Sequence, residues 1–296
     1  MERYRMTTAR LNLREAPGLR HQSLGVMDHG ILVADFGDRA SEDGYTWAKI
    51  SPLEGPLMGR VGWSATPWLS PADRPLGAVL AVDAAFSPIQ PHVLMRHLHS
   101  QFRQIPELFI QCMWTGAVVP SPALSNLRLA QQAAMDIAIY VNPYKISDSA
   151  RLPDPYQPVE RAQNMLGELW EKLIFVAVDV ERLLLPESQP SAARIQATLK
   201  ATLDMVEHVQ RMGKIPVLYT GAWFWNGVLG NPKPPELDGV AAWLAQYDHT
   251  PDLSKLNTQF GPRWRVAAKQ FAGTTSTPGG VVDLNVFALD FVQNPT

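Results

Sequence analysis

The sequence predicts an α/β chain: a closed barrel of alternating strands and helices, preceded by a small all-β unit. Three observations predict it. From Ala78 on, short apolar runs alternate with amphipathic stretches, which implies a parallel sheet covered by helices. Before about residue 70 the pattern is short alternating runs broken by Gly, Asp and Pro, as in small β units. Between them, Pro71-Ala72-Asp73-Arg74-Pro75-Leu76-Gly77 holds two prolines and a glycine and reads as a linker. The expected domains are therefore 1–70 and 78–296, joined by 71–77.

In the first unit, strands are expected at Arg10–Arg14, Gly30–Phe36, Thr46–Ile50 and Gly59–Ser64. In the second, Ala78–Asp83 is an apolar strand, and Pro91–Gln104 a helix with proline in its first turn. Leu108–Trp114 is a strand, Pro122–Met135 a helix, Ile137–Val141 a strand and Pro158–Lys172 a helix. Leu173–Val180 is a strand. Ser191–Met212 is a long helix with Ile195, Leu199, Leu203, Val206 and Val209 as its buried stripe, stopped by Gly213. Further strands are expected at Ile215–Thr220, Val240–Tyr247 and Arg265–Phe271. Seven or eight strands over the remaining length suit a closed (β/α) barrel. An open doubly wound sheet is the alternative; no Gly-rich phosphate loop follows any strand to support it.

Bulk composition narrows the function. With 26 Lys and Arg against 28 Asp and Glu, the net charge is −2, which favours neither nucleic acid nor an anionic membrane as partner. No apolar run reaches the length of a transmembrane helix. The single cysteine, Cys112, excludes an intramolecular disulfide and a cysteine-based zinc site, and its apolar neighbours make it a buried, inert thiol. The seven histidines are scattered without metal-binding spacing, so no metal or cofactor is expected. No Gly-x-Ser-x-Gly elbow is present for serine hydrolase chemistry.

The most informative segment is Phe175-Val176-Ala177-Val178-Asp179-Val180-Glu181. Side chains alternate along a strand, so Phe175, Ala177, Asp179 and Glu181 share one face and the valines the other. Two carboxylates about 7 Å apart along the strand then sit at the C-terminal mouth of a barrel, where catalytic groups gather. Each carboxylate raises the other's pKa, which suits acid/base work. Asp83 and Asp283 also end expected strands, and barrel closure would bring all four acids together. Each alone reads equally well as a polar residue entering a loop. Tyr140, Tyr219, Trp225, Trp243 and Tyr247 gather at the same strand ends. Aromatics beside carboxylates fit a sugar site, the rings stacking on pyranose faces and the acids gripping hydroxyls.

These residues resemble glycoside hydrolase family 25, the Chalaropsis-type lysozymes or muramidases. The resemblance runs from about Gly77 to Val292. It rests on the strand ending in Asp83, Ile139-Tyr140-Val141, Asp179-Val180-Glu181, and Pro216-Val217-Leu218-Tyr219-Thr220 with Trp225. It continues through Trp243-Leu244-Ala245-Gln246-Tyr247, Lys269-Gln270-Phe271-Ala272-Gly273 and Gly280-Val281-Val282-Asp283-Leu284-Asn285. The chain departs from the family at Asp83-Ala84-Ala85-Phe86, where a serine is usual, and at Tyr140-Val141-Asn142, where Tyr-His-Phe is usual. The family's Lys-Ala-Ser/Thr-x-Gly segment is not recognisable in 111–116.

The first unit resembles a bacterial SH3-type domain in Leu11-Asn12-Leu13-Arg14-Glu15-Ala16-Pro17-Gly18, Tyr45-Thr46-Trp47-Ala48-Lys49-Ile50 and Gly59-Arg60-Val61-Gly62-Trp63. Together the resemblances imply an endolysin-like muramidase: a TIM-like barrel behind an SH3-like wall-binding barrel, acting on bacterial peptidoglycan as a monomer, without membrane insertion. The N-terminus lacks the apolar core of a signal peptide, so the protein is expected in the host cytoplasm until released to the wall.

On the family's pattern, Glu181 is the expected general acid. Asp179 then orients the substrate's 2-acetamido group, or Asp83 or Asp283 activates a water on the opposite face; both routes remain open. Tyr140, Tyr219, Trp225, Trp243, Tyr247 and Gln270 are the expected substrate-binding residues. A catalytically silent wall-glycan binder or virion part, and a hydrolase of another polysaccharide, are the rival readings.

Overall fold

A computed structural model describes residues 4–71, 78–102, 104–114, 118–143, 154, 156–184 and 191–295. The first unit holds β1 (Tyr4–Thr7), β2 (Leu11–Arg14), β3 (Ser23–Met27), β4 (Leu32–Glu42), β5 (Tyr45–Pro52), β6 (Gly62–Ala65) and β7 (Leu69–Pro71). They pair antiparallel in the order β3-β2-β6-β5-β4-β1-β7. The expected strands correspond to β2, β4, β5 and β6. β3 was not legible because it is an edge strand, mostly exposed, with a central glycine. Among the described residues the pairing runs from β3 at one edge to β7 at the other. Leu13, Val33, Ala48 and Ile50 form the sheet's own buried core. The expected linker, apart from Pro71, lies outside the described residues.

The second unit holds β8 (Ala78–Ala84), β9 (Leu108–Trp114), β10 (Asp136–Val141), β11 (Leu173–Asp179), β12 (Pro216–Gly221), β13 (Ala241–Ala245), β14 (Arg265–Thr277) and β15 (Gly280–Ala288). They close into a barrel in the order β10-β11-β12-β13-β14-β15-β8-β9. Helices α1 (Pro91–Phe102), α2 (Ala123–Gln132), α3 (Gln157–Leu166) and α4 (Ser191–Arg211) connect the earlier strands. Short helices α5 (Ala222–Trp225) and α6 (Leu289–Gln293) follow β12 and β15.

Closure was expected; uniform parallel order was not borne out. β15 runs antiparallel to both β14 and β8. Only Pro278 and Gly279 separate β14 from β15, and a parallel return needs a crossover of about a dozen residues or more. The sequence signal was the Pro-Gly-Gly turn itself.

α4 also turns differently from the expected stripe. Its deepest face is Ala197, Thr198, Ala201, Thr202, Met205, Val206 and Val209, with Ile195, Leu199 and Leu203 packed beside it. Small side chains let the helix lie close to the barrel. The Thr198 and Thr202 hydroxyls donate to the carbonyls of Arg194 and Thr198, so neither is buried unpaired. The expected helix over 158–172 stops at Leu166, because Gly167 takes φ 53°.

Alternation divides the barrel's apolar residues in two. Val176, Val178 and Val180 join the outer cluster under the helices. Phe175, Ala177, Val217, Tyr219, Ala241, Trp243 and Phe287 point inward. Phe291 of α6 closes the floor, with Phe175 and Phe287 5.8 and 6.3 Å away between ring centres. The outer cluster also takes in Tyr4, Leu32, Ala34 and Leu53 of the first unit. The Tyr4 hydroxyl donates to the Pro106 carbonyl at 3.1 Å. The two units thus share a packed, apolar seam.

Candidate active site

Above the phenylalanine floor the interior becomes polar towards the C-terminal ends of the parallel strands. Trp243 lies 5.8 Å from Phe287, 4.7 Å from Tyr219 and 6.4 Å from Tyr140 between ring centres. On this aromatic layer sits a cavity of about 110 Å³ lined by Asp83, Tyr140, Asp179, Glu181, Tyr219, Trp243, Tyr247, Gln270 and Asp283. Asp83 and Asp283 pair directly across the β8–β15 ladder. β11, bearing Asp179 with Glu181 just beyond, stands three strands from β8 on one path round the barrel. The acids therefore face one another across the mouth.

All four expected acids and five of the six expected binding residues meet there. Trp225 does not. It is fully buried in the outer layer, 5.1 Å from Trp264 between ring centres, with its indole N–H donated to the Pro232 carbonyl. As the last residue of α5 it follows the strand end by a full turn, which carries its ring away from the mouth. The exposed tryptophan of that helix is Trp223.

Gln270 is the hub of the polar layer. Its Oε1 accepts from the hydroxyls of Tyr219 at 2.6 Å and Tyr247 at 2.8 Å. Its Nε2 donates to Asp83 Oδ2 at 3.0 Å and Asp283 Oδ2 at 3.2 Å. Asn285, assigned no role from sequence, is a second such amide. It accepts from Trp243 Nε1 at 2.9 Å and donates to Asp83 Oδ2 at 2.8 Å. Its signal was position: on β15 it is two residues from Asp283 and faces the same way.

Burial sets the acidities. Asp83 is pushed up to about 8, by burial first and the Asp283 charge second, against the Asn285 and Gln270 hydrogen bonds. Asp179 is raised well above the usual carboxylate range by burial and by Glu181, with Arg182 and Asn142 opposing. Glu181 is raised by burial, opposed by Arg182 and reinforced by Asp283. Asp283 is raised by burial and opposed by the Thr274 amide. Asn142 and Arg182 are residues the sequence reading missed. Among the described residues Asp179 Oδ1 is buried without a hydrogen-bond partner, while the Asn142 side chain hydrogen-bonds the Asp179 carboxyl. Cys112 also points into the barrel, hydrogen-bonded to Tyr140, with burial pushing its thiol up to about 12. Among the described residues, no group of His, Cys, Asp and Glu has the geometry to hold a metal ion.

A family model, glycosyl hydrolases family 25, matches residues 126–279, just over half of the 296. The chain belongs to glycosyl hydrolases family 25. The family-25 match contains Asp179, Glu181, Tyr219, Trp243 and Gln270, while Asp83 and Asp283 lie outside it. Barrel closure brings those two to the matched residues.

The family-25 chain is 24% identical over 190 residues to the probable GH family 25 lysozyme 3 of Dictyostelium discoideum, covering 62% of this chain and 36% of that protein. It thus spans little more than a third of that relative's length. Among solved structures it is similar to a family GH25 lysozyme from Aspergillus fumigatus, with TM-score 0.53 and 16% identity over 73% of this chain and 96% of that one. It is also similar to the spore cortex lytic enzyme SleM of Clostridium perfringens, with TM-score 0.54 and 18% identity over 74% of this chain and 70% of that one. At these identities the likeness is one of fold.

Proposed function

We propose that this family-25 protein is a peptidoglycan hydrolase, an N-acetylmuramidase cutting the β-1,4 bond between N-acetylmuramic acid and N-acetylglucosamine. One observation carries the reading. Among the described residues Asp179 Oδ1 is a buried acceptor without a partner, in a cavity it shares with Glu181. Leaving such a group unpaired costs about 1–3 kcal/mol, and an acetamido N–H from the substrate supplies the missing donor. Glu181, with its raised pKa, then protonates the leaving oxygen while Asp179 holds the acetamido group against the anomeric carbon. The hydroxyls of Tyr219 and Tyr247 are already committed to Gln270, so the tyrosines position the amide and wall the cavity.

The first unit is the wall-binding partner in this reading. A groove of about 200 Å³ runs between Arg10, Arg14, Trp47 and the Tyr45–Trp68 pair, whose rings lie 5.5 Å apart. Aromatics with two arginines suit a wall peptide carrying a carboxylate. A module for holding the wall joined to a barrel for cutting it makes an endolysin-like lytic enzyme.

Digestion of purified walls with mass spectrometry of the new reducing ends tests the reading. Muramic-acid ends are expected, and glucosamine ends or intact walls overturn it. Replacing Tyr45 and Trp68 with alanine in the full chain should weaken co-sedimentation with walls more than cutting of short soluble fragments. Equal losses would contradict the division of labour.

A further inference from the structure

The cavity around the acids is small for a sugar chain. At about 110 Å³ it falls below the roughly 300–1,000 Å³ of ordinary ligand sites. A second cleft of about 460 Å³ opens directly from it, sharing Asp83, Tyr140 and Asp283. Its outer wall is Phe86, 61% exposed. The facing wall is Val281 and Thr274 near the tip of the β14–β15 hairpin.

Phe86 is presented on a clamped loop. Gln111, fully buried on β9, places Nε2 3.0 Å from the carbonyls of Ala84 and Ala85. Asn126, buried on α2, donates to the Ser87 carbonyl at 2.9 Å and accepts from the Ile89 amide at 3.1 Å. The two amides also bond each other at 2.9 Å. The opposite wall is tied to the same loop, since the Val281 amide donates to Ser87 Oγ at 3.0 Å and the Gln90 amide to the Gly279 carbonyl at 2.7 Å. The contact needs glycine: a Cβ on Gly280 would stand 2.7 Å from the Pro88 carbonyl oxygen, and its φ is +132°. Buried polar networks of this kind hold one geometry. An exposed ring fixed at the edge of a carboxylate-lined cleft offers a flat apolar face to a ligand.

We propose that the cleft between Phe86 and Val281 is a pyranose subsite, with Phe86 as its stacking platform, so that the glycan runs outward from the acids over β8 and β15. The inference rests on the glycan-hydrolase reading above and adds the direction of the chain and the residue that grips it. Trp223, 56% exposed after β12, lines neither the acid cavity nor this cleft.

The test is calorimetric titration of the full chain in a Glu181→Gln background with soluble oligomers of the N-acetylglucosamine–N-acetylmuramic acid repeat. Burying the rest of an exposed phenylalanine is worth enough that Phe86→Ala should weaken binding roughly ten-fold. Phe86→Tyr should restore it and Trp223→Ala should leave it unchanged, with far-UV spectra alike throughout. Equal affinity for Phe86→Ala and its parent overturns the subsite, as does a loss confined to Trp223→Ala. Wall cutting by the native chain, measured alongside, separates the two levels. If walls are cut but Phe86→Ala is neutral, only the subsite falls. If walls are not cut and no oligomer binds, the hydrolase reading falls and takes the subsite with it.

Discussion

Asp83 and Asp283 stand directly opposite each other on neighbouring antiparallel strands, and one Gln270 amide nitrogen donates to both. Two buried carboxylates in such a pair do not both ionise readily. The pair stores a proton that the unfolded chain would release, and this has consequences for stability as well as for chemistry.

Stability should fall as pH rises through the neutral range. Asp83 is pushed up to about 8 in the fold, against about 3.9 in an unfolded chain. Between those values the native state binds more protons than the unfolded state, so ΔG of unfolding declines with pH and flattens above the folded pKa. Thermal midpoints from pH 5 to pH 8 should drop, and Asp83→Asn should flatten the drop. A midpoint that rises over this interval would contradict the protonated pair.

Glu181→Gln should abolish turnover while preserving shape. A general acid contributes about 10²–10⁴-fold, so release of reducing ends should fall at least that far. Glycan binding and circular dichroism should be unchanged. Near-native cutting of walls by this variant would place the acid elsewhere in the mouth.

The alkaline limb of the pH–rate profile should belong to Glu181 and respond to Asp283. Burial and the Asp283 charge both raise Glu181, and the acid works only while it keeps its proton. On the proposed assignment, activity should therefore be lost as pH climbs through the folded Glu181 pKa. Removing the nearby charge with Asp283→Asn lowers that pKa, so the limb should move to lower pH. A limb that stays in place, in an active variant, would show that another group sets it.

Lys269, outward-facing on β14 and fully buried, holds Asp248 at 2.8 Å and donates to the Thr250 carbonyl at 3.0 Å. Tyr247 sits beside Asp248 and donates to Gln270. The two partners should not be equal. Asp248→Asn leaves a fully buried cation short of its counter-charge, which is the costlier loss. Lys269→Met leaves a carboxylate that is 34% exposed and can be hydrated. Thermal melts should rank Asp248→Asn below Lys269→Met; the reverse order would mean the lysine matters by its packing.

The acids were legible because Asp179, Glu181 and Asp83 directly follow apolar runs, where strand alternation decides their direction. Gln270 was legible only through the family resemblance, and its role as hub required the closed barrel. Trp225 misled because helical rotation, invisible in residue spacing from the strand end, turns its ring outward. The reversal of β15 was missed because its strand pattern reads the same in either direction; only the two-residue turn before it carried the information. Lys269 looks like an ordinary charged residue until Asp248 and the Thr250 carbonyl are seen around it.

The reversal has one more consequence. β15 is the last strand of the barrel in chain order, yet it closes the barrel between β14 and β8 and delivers Asp283 and Asn285 to a pocket whose other acids lie far earlier in the sequence. Until that strand is laid in, Asp83 has neither its opposing acid nor its Asn285 donor, and Trp243 has no acceptor for its indole. The polar layer of the mouth is thus completed only when the two sides of β15 find β14 and β8.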